Sequence, residues 1–142
     1  MPKTRTLTMT IDSSLDNVSL VGNAVRGILE NEPGPRHDIP LVELAVCEAV
    51  NNAIIHGYDQ KEGFPVEVSL SLAKGKLIVT VADRGRGFST FPDALPKVPA
   101  GEDLQNMPLG GWGLRIMGEV MEQVRYSSDA GRNELTMSRA WA

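Results

Sequence analysis

Cysteine is nearly absent. Cys47 is the only one among 142 residues, so no internal disulfide can form, and the chain suits a reducing compartment such as the cytoplasm. Long uncharged runs are missing too. The longest stretch free of Asp, Glu, Lys and Arg is Leu104–Leu114, far short of the ~20 residues that a membrane helix needs. Met1-Pro2-Lys3-Thr4-Arg5 lacks the apolar run of a signal peptide. No basic run exists either: 14 Lys and Arg stand against 18 Asp and Glu, a balance that disfavours a nucleic-acid-binding surface. What is present is 42% apolar and 23% charged residues, too apolar for a disordered chain. Residues 1–142 are expected to form one domain around one core. That leaves no room for a sensor beside a catalytic unit, so a signal is expected to arrive on a partner.

Thr6–Ile11 alternates polar and apolar residues, which predicts a strand with Leu7, Met9 and Ile11 inward. Ser13, with Asp16 three residues on, resembles a capping-box helix start. Val18, Val21, Val25, Ile28 and Leu29 then recur at helical spacing, until Pro33, Gly34 and Pro35 end that helix. A second helix begins near Asp38, has Pro40 in its first turn, and runs to about Gly57, which is expected as a left-handed cap. Val66–Leu72 and Leu77–Ala82 predict a hairpin, the second strand central because it is apolar on both faces. Phe88–Leu109 holds four prolines and no period, the mark of a long functional loop. A third helix carries Leu114, Met117 and Met121. Val124–Ser127 and Glu134–Arg139 follow as strands around Asp129-Ala130-Gly131. The order β-α-α-β-β-loop-α-β-β predicts an α+β fold, a sheet with helices on one face.

Three segments carry chemistry. In the second helix Glu48 and Asn52 fall one turn apart on one face, while the rest of that helix is apolar nearly all round and so reads as buried. A buried carboxylate and amide need partners. Asn52 suits Mg²⁺ held together with substrate phosphates, and Glu48 suits a general base; an edge-of-core position explains the pair equally well. Asp83-Arg84-Gly85-Arg86-Gly87 follows the central strand. Its glycines permit close backbone approach to a flat ligand, and Asp83 can accept from an exocyclic amine; it also reads as an ordinary turn. Gly110-Gly111-Trp112-Gly113 opens the third helix, where bare amides suit an anion; a hinge is the plain alternative. No Gly-Lys-Ser/Thr follows it, so it is not a P-loop.

Taken in order, from Leu41 to Val124, the three segments resemble the asparagine box and the two glycine boxes of the GHKL ATPase superfamily. That resemblance implies a Bergerat-type α/β sandwich with a mixed, mostly antiparallel sheet. Histidine kinases of that superfamily need a phospho-accepting histidine on a helical hairpin. Here His37 lies in a Pro-rich linker and His56 inside the asparagine box. The larger members need a further domain for which 142 residues leave no room. The chain is more similar to the standalone anti-sigma factor serine/threonine-protein kinases, through Glu48-Ala49-Val50, Asn52–Tyr58, Gly111, Gly113-Leu114, Ile116-Met117 and Leu135-Thr136-Met137.

The resemblance implies ATP and Mg²⁺ as cofactors. Asp83 would read adenine in a pocket shaped by Gly85 and Gly87. Asn52 would hold the metal. Gly111, Gly113 and Leu114 would meet the phosphates under a lid at about 88–109. Glu48 would be the base toward a serine on a STAS-type anti-anti-sigma partner, which competes with a sigma factor for the first helix. A homodimer is also implied. The chain departs from the family in two places. Leu20 stands where some members carry a partner-contacting arginine, and no Lys or Arg occurs between Val98 and Leu114, where some place one against the γ-phosphate; Arg86 is a substitute. The departures leave open an ATP-responsive sequestering protein without kinase activity. Trp112 suits either covering the nucleotide or packing on the third helix, and Cys47 suits the core.

Overall fold

Thr10 pairs with Glu67 and Thr80 with Thr136 across an antiparallel sheet whose strands run in the order β1-β2-β3-β5-β4. The computed structural model describes residues 3–87 and 112–142, without the side chain of Trp112. The strands are β1 (Arg5–Asp12), β2 (Pro65–Ala73), β3 (Lys76–Asp83), β4 (Gln123–Asp129) and β5 (Arg132–Ala140). The helices are α1 (Val18–Glu30), α2 (Ile39–Asn52) and α3 (Trp112–Val120). The element order is the one the sequence predicts, and β3 is central. Every pairing among the described residues is antiparallel rather than mixed.

Strand alternation decides which face the helices cover. Val66, Val68 and Leu70 of β2, Leu77, Val79 and Val81 of β3, and Leu135 and Met137 of β5 are buried together with Val21, Val25 and Leu29 of α1 and Val42, Val46 and Val50 of α2. The opposite face is polar. Thr6 meets Ser71 at 2.8 Å, Thr8 meets Ser69 at 3.0 Å, and Thr80 meets Thr136 at 3.3 Å, each pair bonding hydroxyl to hydroxyl. Such cross-strand pairs hold a solvated face together. α2 and its flanking turns, Arg36–Gly57, have the length and mean hydropathy (1.3) of a membrane span. This is the core helix, and it carries Glu43 and Glu48.

Three local expectations are corrected. Leu7 has the inward phase but is 49% exposed, because β1 is an edge strand. Ser13 does not cap α1: it is buried, donates to Lys61 O (2.6 Å) and accepts from Phe64 N (3.1 Å), pinning β1 to the entry of β2. Ser14 caps only the short turn at Leu15–Asn17, accepting from Asp16 N, and Asn17 at the start of α1 makes no side-chain cap bond. Gly57 is not left-handed. Asp59 (φ 53°) and Gln60 (φ 62°) reverse the chain instead, so the glycine at 57 needs another reason.

Candidate functional site

α2 presents Glu48 and Asn52, both half-buried, on adjacent turns. Burial pushes the Glu48 carboxyl above the usual carboxylate range, because desolvation penalises the charged form. The first turn of α3 lies directly on this pair. A methyl group on Gly113 would come within 3.0 Å of Glu48 Oε2 and 3.3 Å of Asn52 Nδ2. Glycine here lets the backbone approach two polar groups that any side chain would cover.

Beyond Asn52 the helix widens into a π-helical turn, Ala53–Gly57, closed by Tyr58 N to Ala53 O at 3.2 Å. Such turns are rare overall and are frequent at functional sites. This one aims Gly57 at the end of β3. A methyl on Gly57 would stand 2.9 Å from Asp83 Oδ1, and one on Gly85 would overlap the Gly57 carbonyl. Close approach, not a left-handed φ, is therefore what glycine supplies at 57 and 85. The contact is locked by Arg86, whose amide donates to Gly57 O (3.0 Å) and whose Nε donates to His56 O (3.1 Å). The Arg86 guanidinium also pairs with Asp59 at 2.8 Å. Tyr58 adds a second brace: its hydroxyl accepts from Arg84 N and donates to Pro65 O, both at 2.7 Å.

Asp83 is buried where β3 ends. Its Oδ1 accepts from Gly85 N (2.8 Å) and from Asn133 Nδ2 (2.9 Å). Among the described residues Oδ2 accepts no hydrogen bond. Gly87 is left-handed (φ 71°). A side chain there would strike the Tyr126 hydroxyl at 2.5 Å and Asn133 Oδ1 at 2.7 Å. The result is a cleft lined by Asn52, Ala53, Gly57, Val81, Asp83 and Tyr126. Apolar walls with one carboxylate suit a flat heteroaromatic that carries an amino donor. Size does not select the site. A wider cavity lies at the other end of the sheet, between Lys3, Arg5, Lys74 and Trp141, away from every motif the sequence singles out.

The structure thus brings Glu48, Asn52 and Gly113 together, and Asp83, Gly85 and Gly87 together, with one cleft touching both groups. Leu114 is half-buried and packs against the core. Gly111 and the expected lid at 88–109 lie outside the described residues. Arg86, expected as a substitute phosphate ligand, is exposed and contacts Asp59 and His56 O just beyond α2. Cys47 is half-exposed, with burial raising its thiol pKa. Sequence reasoning missed Asn133, Tyr58 and Tyr126. One signal was available for Asn133: it shares the core-facing parity of Leu135 and Met137, an odd place for an amide.

The chain is similar to known proteins in sequence and in fold. Residues 11–139 match the family described as the histidine kinase-like ATPase domain. A protein of Halalkalibacterium halodurans named serine-protein kinase RsbW is 29% identical over 128 residues, covering 89% of this chain and 78% of that one. An anti-sigma F factor of Pasteuria penetrans is 29% identical over 131 residues, covering 92% and 86%. A crystal structure of the RsbU and RsbW domains of a Mycobacterium tuberculosis protein superposes with a TM-score of 0.67 at 24% identity. The match covers 96% of this chain but spans only 32% of that one, and it speaks for the fold alone. With the family profile covering most of the described sheet and all three helices, the chain belongs to the histidine kinase-like ATPase domain family.

Proposed function

We propose that this chain, as one domain over residues 1–142, is an ATP-dependent protein-serine kinase and anti-sigma factor. Its substrate is a serine on a STAS-type anti-anti-sigma protein, and a sigma factor is the competing partner. The observation that carries the reading is that Asn52 lines the Asp83 cleft while Gly113 lies against both Asn52 and Glu48. The names of the relatives support it.

In this reading Asp83 Oδ2 accepts from the adenine amino group, and Gly57, Gly85 and Gly87 leave room for the ring. The amides of Gly111, Gly113 and Leu114 donate to the phosphates at the start of α3. Asn52 would hold Mg²⁺, which screens phosphate charge when bound. A single amide oxygen fits an ion held chiefly by phosphate oxygens and water. Among the described residues no cluster of three acidic, His or Cys side chains offers an all-protein cage. Glu48 accepts the serine proton. Burial raises its pKa, which makes it a stronger base than an ordinary carboxylate. Phosphoryl transfer rests mainly on positioning and charge stabilisation, so a sparse site suffices. Partner binding falls on α1, where Leu20 is 59% exposed. We place the protein in the cytoplasm as a homodimer.

One observation favours a second reading, an ATP-gated sequestering protein without transfer. Arg86 pairs with Asp59 and donates to His56 O, contacts that compete with a phosphate for the one nearby guanidinium, and no Lys or Arg occurs between Val98 and Leu114. Incubation with Mg-ATP and a candidate STAS partner separates the two. A phosphate-sized mass shift on the partner's serine, lost in Glu48→Gln and in Asp83→Asn, is expected. Transfer by Glu48→Gln at the wild-type rate overturns the base assignment. Nucleotide-dependent partner binding with no shift selects the second reading.

A further inference from the structure

Asp83 and Asn133 are direct partners in the β3–β5 register, and Asn133 is 2% exposed. Both hydrogens of its amide nitrogen are committed, one to Asp83 Oδ1 and one to Gly85 O, each at 2.9 Å. Its amide oxygen accepts from Ser128 Oγ at 2.7 Å. The network fixes which way the amide points. Turned over, its oxygen would face the Asp83 carboxylate, acceptor against acceptor, and Ser128 would lose its acceptor. An ionised carboxylate can only accept. With Oδ1 already taken by Gly85 N and Asn133 Nδ2, a ligand donor is left with Oδ2.

We propose that Asn133, oriented by Ser128, is the positioning residue that sets the direction in which Asp83 offers Oδ2, and so sets selectivity for a purine bearing a 6-amino group. The inference rests on reading the Asp83 cleft as a nucleotide pocket. Asn133 does not touch the base, since its donors are spent on the carboxylate and on the turn. It acts twice on one geometry. The bond to Oδ1 fixes the rotation of the carboxylate, and the bond to Gly85 O fixes the turn that forms the rim of the pocket. The order Ser128, Asn133, Asp83 runs from the exposed end of β4 through β5 into the cleft, so the constraint is carried by side chains across two strands.

The test compares the affinity of the full chain for ATP and for purine riboside triphosphate, which lacks only the 6-amino group. Wild type is expected to favour ATP about tenfold, the size of one hydrogen bond to a charged acceptor. Asn133→Asp has the same volume but replaces the donor by an acceptor. It should bring the ratio close to one, mainly by weakening ATP. Ser128→Ala leaves Asn133 in place without its orienting partner and should lower the ratio about threefold; it serves if Asn133→Asp does not fold. A wild-type ratio in Asn133→Asp, or in Ser128→Ala, overturns the proposal. So does equal weakening toward both nucleotides, which marks a merely structural residue. A wild type that binds neither nucleotide overturns the nucleotide reading itself, and the two failures are therefore distinct.

Discussion

The two ends of β3 are built on opposite principles. At the Lys76 end, a tight turn through Lys74 (φ 48°) and Gly75 (φ 70°) leads back toward Trp141, whose amide donates to Gly75 O at 2.6 Å. The indole is buried against Gly34, with the Arg139 guanidinium 5.5 Å over its ring. Its Nε1 is buried without a hydrogen-bond partner among the described residues. At the Asp83 end, by contrast, Asp83, Asn133, Ser128 and Tyr58 are linked to one another or to backbone. An unpartnered buried donor costs on the order of 1–3 kcal/mol. The fold accepts that at one end, where a large ring packs well. At the other it spends amides, hydroxyls and glycines on holding one carboxylate. In the proposed function that carboxylate is the group that meets the ligand.

Gly85→Ala attacks the second principle most directly. The new methyl overlaps the Gly57 carbonyl, backbone against backbone. We expect a loss of about 3 kcal/mol in urea unfolding and loss of nucleotide binding; a variant as stable as wild type would show that the close approach is not needed. Trp141→Phe probes the first principle. It removes an unpartnered donor together with some packing, so the two effects offset, and we expect a cost of about 1 kcal/mol or less. A cost near that of an ordinary buried aromatic truncation would mean that Nε1 has a partner after all. Glu48→Gln gives the smallest and most pH-dependent effect. Burial raises the folded-state pKa of this carboxyl above its unfolded value. Ionised Glu48 therefore weakens the fold above that folded pKa, and the penalty disappears as pH falls below the ordinary glutamate value. The variant should melt about 1–3 °C higher than wild type at pH 7 and equal to it near pH 3. A gap that widens on acidification would reverse the sign.

The legible parts of the site were those with a short-range pattern. Glu48 and Asn52 stand out because they interrupt an apolar helix at a spacing of one turn, and Asp83 because it follows an apolar strand and precedes two glycines. Leu7 misled because periodicity gives the phase of a side chain, not how far the helices reach over an edge strand. Gly57 misled because a glycine at a helix end has two uses, and only the structure shows Asp83 and Gly85 pressed against it. Asn133 was missed because its partner Asp83 is 50 positions away. No local spacing encodes that bond; the β3–β5 register does. Ser13 failed the same way, its partners Lys61 and Phe64 being reachable only once β1 lies beside β2.

The widened turn at Ala53–Gly57 has a consequence for how this helix tolerates change. Removing one residue there would restore ordinary helical spacing and rotate everything beyond it by about 100°. The Gly57 carbonyl would swing away from Arg86, while Glu48 and Asn52 stayed where they are. The helix is thus indexed twice, once for the half that meets α3 and once for the half that meets β3. Insertions and deletions of single residues at this point would shift one index against the other, which makes its length, more than its side chains, the quantity that cannot drift.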